Sequence, residues 1–160
     1  MEALSVPYKV KKGERVHSYS TSESIGYFLS LNHRRIKPLM DDRLRGKGIS
    51  YGMWFFLRTL WEEDNITQSD LSGWLSVSQP TTLAALRKLQ RQKLVTLKKD
   101  KDDKRSIRVC LTAEGRALKE EMLPHVEEIN YMLLKGLKKS EITELLRLLQ
   151  VIGRNARQNT

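Results

Sequence analysis

The chain has 160 residues and a formal net charge of +10, from 29 Lys and Arg against 19 Asp and Glu. That length suits one domain with a real core, and the basic excess points to polyanionic partners, phosphate backbones first among them. No apolar run reaches the roughly 18–20 residues of a membrane span. The N-terminus lacks the basic-then-apolar order of a secretory leader, and the single cysteine, Cys110, excludes an intramolecular disulfide and fits a reducing cytoplasm.

Residues 1–21 are polar, contain Pro7 and Gly13, and carry no helical stripe, so they read as an N-terminal arm. A helix is expected from near Ser22, with Ile25, Phe28, Leu29, Ile36, Leu39, Met40 and Leu44 on one apolar face. "RGKGIS" ends it. In "YGMWFFLRTLWEE", Trp54, Leu57, Leu60 and Trp61 recur at helical spacing and predict a second helix.

Two short helices follow. Thr67 with Asp70 three residues on is a capping-box pattern and opens a helix through Leu71, Trp74 and Leu75. Ser78 is the next N-cap, and Pro80 falls in the first helical turn, where its missing N–H is harmless. This second helix sends Leu83, Leu86 and Leu89 inward. Two capped helices joined by "SVS" make a helix-turn-helix pattern.

"LVTLKK" and "SIRVCLT" are strand-like, the latter alternating Ile107, Val109 and Leu111 with Arg108 and Cys110. Between them lies the charged tip "DKDDKR". A two-stranded hairpin with such a tip, directly after a helix-turn-helix, is a wing. One helix can enter the major groove while the wing reaches the adjacent minor groove, where Arg is favoured by the negative potential. Thr112 then caps a long helix striped by Leu118, Met122, Val126, Ile129 and Leu133. Pro124 is expected to kink or break that helix. A last helix begins near Ser140, with Ile142, Leu145, Leu146, Leu149 and Ile152 on one face. These stripes exceed what one small lobe can cover, and a second copy of the chain is the simplest partner.

From about Ser22 to the last helix the sequence resembles the MarR family of bacterial transcriptional regulators. The resemblance rests on "LVTLKKDKDDKRSIRVCLTAEG", with Asp103 and Arg105 as the wing's Asp-x-Arg pair and Leu111, Thr112 and Gly115 as Leu-Thr-x-x-Gly. It also rests on the helix-turn-helix "TQSDLSGWLSVSQPTTLAALRKL" and on Trp54 and Leu57 in the second helix. The expected fold is mainly α with a small β-hairpin wing: a winged helix-turn-helix lobe at about 50–112 and dimerisation helices at about 22–46 and 113–155, in one domain over 22–160. The resemblance implies a homodimer on a pseudo-palindromic operator in double-stranded DNA, with many members answering a small aromatic effector and others sensing oxidants through cysteine. Two departures stand out: Lys93 where the family often has Gly, and Leu97 where it often has an Arg that braces the wing Asp.

Gln79, Thr81, Thr82 and Arg87 are the candidates for base edges, with Lys88 and Arg91 nearer phosphates and Ser78, at the cap, also a DNA-binding candidate. In the wing, Arg105 is the candidate for the minor groove, Lys99, Lys101 and Lys104 neutralise backbone, and Asp103 orients the tip. A slot formed by His33, Arg34, Met53, Trp54 and Arg58 is the expected effector site, suited to an aromatic acid or its coenzyme A thioester. The expected function is a cytoplasmic repressor released by that effector. The alternatives are a DNA-binding or interaction module without an inducer, and a redox-responsive regulator using Cys110. No Ser-His-Asp order, P-loop or glycine-rich nucleotide loop is present, so neither enzyme nor cofactor is expected. His17, His33 and His125 lack metal-ligand spacing, and no metal is expected either.

Overall fold

The computed structural model describes Thr21 and residues 24–158. The expected arm over 1–21 therefore lies, apart from Thr21, outside the described residues, as do His17 and Ser22. Among the described residues the order is α1 (Ile25–Arg45), α2 (Tyr51–Glu62), β1 (Ile66–Thr67), α3 (Gln68–Leu75), α4 (Gln79–Arg91), β2 (Val95–Lys99), β3 (Ile107–Leu111), α5 (Ala113–Leu134) and α6 (Lys139–Gln158). No helix among them is long and apolar enough to cross a membrane.

Local chemistry sets each boundary. Hydroxyls of Ser24, Ser50, Thr67, Ser78 and Thr112 accept a backbone N–H three residues on, so five helices start at side-chain caps. The α6 start is different: Lys138 N–H donates to Glu141 Oε2 at 2.6 Å, which moves the helix one residue ahead of Ser140. The α4 end is a Schellman turn, with Leu94 N–H on the Leu89 carbonyl and Lys93 N–H on that of Gln90. Lys93 takes φ +61°, the left-handed conformation for which glycine is the usual choice, at a cost of about 1 kcal/mol. Ser76 at φ +52° ends α3 in the same way, with Val77 N–H reaching the Ser72 carbonyl.

The wing is one strand richer than expected. Ile66 and Thr67 pair antiparallel with Val109 and Arg108, giving a three-stranded sheet ordered β1-β3-β2. A two-residue strand is too short to show alternation in a sequence. In β2 and β3 the register runs from Val95 opposite Leu111 to Lys99 opposite Ile107. Leu44, Leu57, Leu60, Leu71, Leu86, Leu89, Val95, Val109 and Met122 are fully buried and join α1 through α5 and the sheet into one core. Gly115 marks its tightest approach, because a Cβ there would lie 2.0 Å from the Leu94 carbonyl oxygen. That oxygen also accepts Thr112 N–H, while Trp61 Nε1 donates to the Gly115 carbonyl at 2.8 Å.

The expected stripe of α1 is only partly used. Met40 and Leu44 are buried, whereas Ile25, Phe28, Leu29 and Leu39 are exposed. In α5, Leu118, Met122 and Ile129 are buried, but Leu133 is not. No side chain of α6 is buried, although its apolar face is continuous. Pro124 does not break α5, which runs unbroken from Ala113 to Leu134.

Candidate nucleic-acid interface

The first turn of α4 is built by its neighbours. Ser78 Oγ accepts Thr81 N–H and lies 2.9 Å from the Thr81 hydroxyl. Gln79 is exposed, yet its amide is held twice: Gln68 Nε2 donates to Gln79 Oε1 at 3.0 Å, and Gln79 Nε2 donates to Ser69 Oγ at 3.2 Å. An amide oxygen has two lone pairs and its nitrogen two hydrogens. One acceptor and one donor of Gln79 therefore remain available.

Thr82 corrects the expected list. It is fully buried, and its hydroxyl is hydrogen-bonded to that of Ser72 at 2.9 Å, so it faces α3 and no groove. The reason is periodicity: Thr82 lies four residues before Leu86 and seven before Leu89, on the helix's inner stripe. Thr81, Arg87, Lys88 and Arg91 are exposed on the remaining faces.

The wing tip is a compact turn. Asp103 Oδ1 accepts Arg105 N–H at 3.0 Å and its Oδ2 accepts the Ser106 hydroxyl at 2.7 Å, so this carboxylate is turned to the tip's own backbone. Asp100, which the sequence did not single out, is buried at the base of the tip. It accepts N–H groups of Asp102 and Asp103 at 2.8 and 3.0 Å, and pairs with Arg108. Those bonds, the Asp103 N–H foremost, hold its carboxyl below the ordinary carboxylate value. Leu97, where a bracing Arg is absent, faces Val109 across the strands.

Lys99, Lys101, Lys104 and Arg105 are exposed, and so are the α4 cations. None of these seven side chains has a carboxylate partner within salt-bridge distance among the described residues. Arg105 and Ile107 from the wing border one hollow together with Gln68, Gln79 and Leu83, so the wing tip and the start of α4 form one continuous surface.

The expected effector slot is not open as drawn. Met53 and Trp54 are each 4% exposed and belong to the core. Trp54 packs edge-on against Trp61 with ring centroids 5.2 Å apart, and the Arg58 guanidinium sits 5.9 Å above it. The spacing of Trp54, Leu57 and Trp61 along one helix face already carried that signal. Aromatic surface remains nearby: Tyr51 lies 5.5 Å from the His33 ring and 4.9 Å from that of Phe55, which is exposed. Arg34 is exposed. Cys110 is half-buried, and its thiol donates to Asn65 Oδ1 at 3.3 Å. Among the described residues no group of three or more His, Cys, Asp or Glu side chains is arranged to hold a metal ion.

The MarR family profile matches residues 49–107, the span from the start of α2 to the wing. The chain is 31% identical over 87 residues to the organic hydroperoxide resistance transcriptional regulator of Bacillus subtilis, covering 54% of this chain and 56% of that one. The chain thus spans little more than half the length of that relative. Among solved structures it resembles the Staphylococcus aureus MepR–DNA complex, at 25% identity and a TM-score of 0.74, over 82% of this chain and 98% of that chain. It is equally similar to Bordetella bronchiseptica BpsR, whose DNA binding is regulated by 6-hydroxynicotinic acid, at 25% identity and a TM-score of 0.72, over 81% and 98%.

Proposed function

We propose that this chain, whose residues 49–107 match the MarR family profile, is a sequence-specific DNA-binding transcriptional repressor acting as a homodimer on a pseudo-palindromic operator. The observation that carries the reading is that α4 and the wing expose seven cations without carboxylate partners, and that the wing tip and the start of α4 border one hollow. Cations without carboxylate partners are free to replace counterions along phosphate. Gln79, Thr81 and Arg87 meet base edges in the major groove, while Ser78, Lys88 and Arg91 meet phosphates. Arg105 enters the minor groove and Lys99, Lys101 and Lys104 neutralise backbone. Asp103 shapes the tip that presents Arg105.

The exposed apolar residues of α1, α5 and α6, among them Phe28, Leu29, Leu133, Leu145 and Leu149, support a dimer through these helices. An apolar face of that extent needs a cover. Footprinting on the DNA upstream of its own gene is the test. Protection of two half-sites about one helical turn apart supports the reading, and no protection at any concentration that retains the fold contradicts it.

The effector reading is an aromatic acid, supported by the similarity to BpsR and by the ring cluster of half-buried Tyr51 with exposed His33 and Phe55 on α1 and α2, helices that also carry Arg34 and Arg58. Such a ligand releases DNA only by binding the non-DNA-competent arrangement more tightly. Titrating benzoates, hydroxycinnamates and their thioesters against the DNA complex tests it; no release at millimolar ligand removes this part of the proposal. A redox reading through Cys110 has the similarity to the hydroperoxide-resistance regulator behind it, and retention of DNA binding by wild type after peroxide treatment excludes it.

A further inference from the structure

Among the described residues Asp100 is the one charged side chain that is buried, and it lies in a hairpin whose other charges, the half-buried Arg108 apart, are exposed. A buried carboxylate is costly unless every oxygen is engaged. Here Oδ1 takes the N–H groups of Asp102 and Asp103, which start the tip turn, and Oδ2 takes Arg108 Nε. The same guanidinium reaches the other way: Arg108 Nη1 donates to the Asn65 carbonyl at 2.6 Å. Asn65, at φ +57°, is itself fixed, because Asp64 Oδ1 accepts both Asn65 N–H and Leu111 N–H at 2.8 Å while Asp64 Oδ2 pairs with Arg116 at the start of α5. One planar fork therefore ties the tip of the wing to the α2–β1 connection.

We infer that Arg108, acting through Asp100, is a positioning residue that aims Arg105 at DNA. The inference rests on the DNA-binding reading above and concerns how the wing does its part. A hairpin of two five-residue strands twists and bends about its base, so an Arg at its tip reaches a narrow groove only if the base is held. The fork supplies that hold at two points, to Asp100 in the tip turn and to Asn65 outside the hairpin. A lysine has a single donor centre and cannot satisfy both acceptors in fixed geometry. Leu97, the strand position where a bracing cation is missing, leaves this role to β3.

A double-mutant cycle on operator affinity separates aiming from simple support. Wild type, Arg105→Ala, Arg108→Ala and the double variant are compared below their melting temperatures, with circular dichroism confirming the fold. Arg105→Ala and Arg108→Ala are each expected to weaken binding about tenfold, and the double variant to bind no worse than Arg105→Ala alone. Arg108→Lys and Asp100→Asn are expected to follow Arg108→Ala, and they carry the test if Arg108→Ala does not fold. Losses that multiply in the double variant would mean that Arg108 acts independently of the tip and overturn the inference alone. Unchanged affinity in Arg108→Lys would also overturn it. Wild-type affinity in Arg105→Ala would take down the wing contact itself, and this inference with it.

Discussion

Gln68 Nε2 donates to Gln79 Oε1 at 3.0 Å, so the first side chain of α4 is held in place by the first residue of α3. The remaining donor and acceptor of the Gln79 amide match adenine, which offers one acceptor and one donor in the major groove, better than guanine, which offers two acceptors. Gln79→Ala is expected to lose about 1–3 kcal/mol of discrimination at one position in each half-site. Gln68→Ala is expected to lose about 1 kcal/mol there, because the amide is then free to reorient. Binding to a panel of operators with single base-pair changes measures both. A flat panel for wild type at every A·T position would contradict this role.

Thr82 is expected to matter for folding and not for DNA. Thr82→Val keeps the shape and removes the hydroxyl that bonds Ser72. Urea unfolding should show a loss of about 1 kcal/mol, while operator affinity of the folded variant stays at the wild-type value. A selective loss of affinity would return Thr82 to the groove.

Gly115→Ala is expected to be among the most damaging single methyl additions. The new Cβ meets the Leu94 carbonyl oxygen, which cannot retreat without breaking its bond from Thr112 N–H. A destabilisation of about 3 kcal/mol is expected by urea unfolding. Near-wild-type stability would show that α5 can slide away from the Schellman turn.

The pH dependence of the wing follows from Asp100. The N–H of Asp103 leads the contacts that hold its carboxyl below the ordinary value in the folded chain. A group shifted down on folding adds stability above its unfolded pKa, and that stability is lost as pH falls through the folded pKa. The stability difference between wild type and Asp100→Asn should therefore be constant from neutrality to about pH 5 and narrow below about pH 4. A difference that narrows between pH 8 and 6 would place the controlling group elsewhere.

Periodicity and caps made most of the fold legible. The stripe of α2, the inward Leu86 and Leu89 of α4, the caps at Thr67, Ser78 and Thr112, and the alternation of Ile107, Val109 and Leu111 appear where the spacing puts them, whereas Leu83, expected inward, is half-buried at the edge of the hollow and Thr82 takes the inner place. Two expectations fail for one reason: residue type alone does not say which helix face a side chain takes. Thr82 and Trp54 carry side chains suited to binding, yet both lie on inner stripes with leucines. Asp100 and Arg108 were hidden for another reason: eight residues apart in a charge-rich tip, they become partners only once the hairpin register sets the strands. Ile66 and Thr67 pair through backbone alone and leave no side-chain pattern to read.

The central claim is that α4 and the wing together recognise a particular DNA sequence. Fluorescence anisotropy with the protein's own upstream DNA and a scrambled duplex of equal composition, over a range of salt, tests it most directly. The account predicts tighter binding to the native sequence by about a thousandfold or more, with both affinities falling steeply as salt rises. Equal affinity for the two duplexes, or no salt dependence on either, would contradict it.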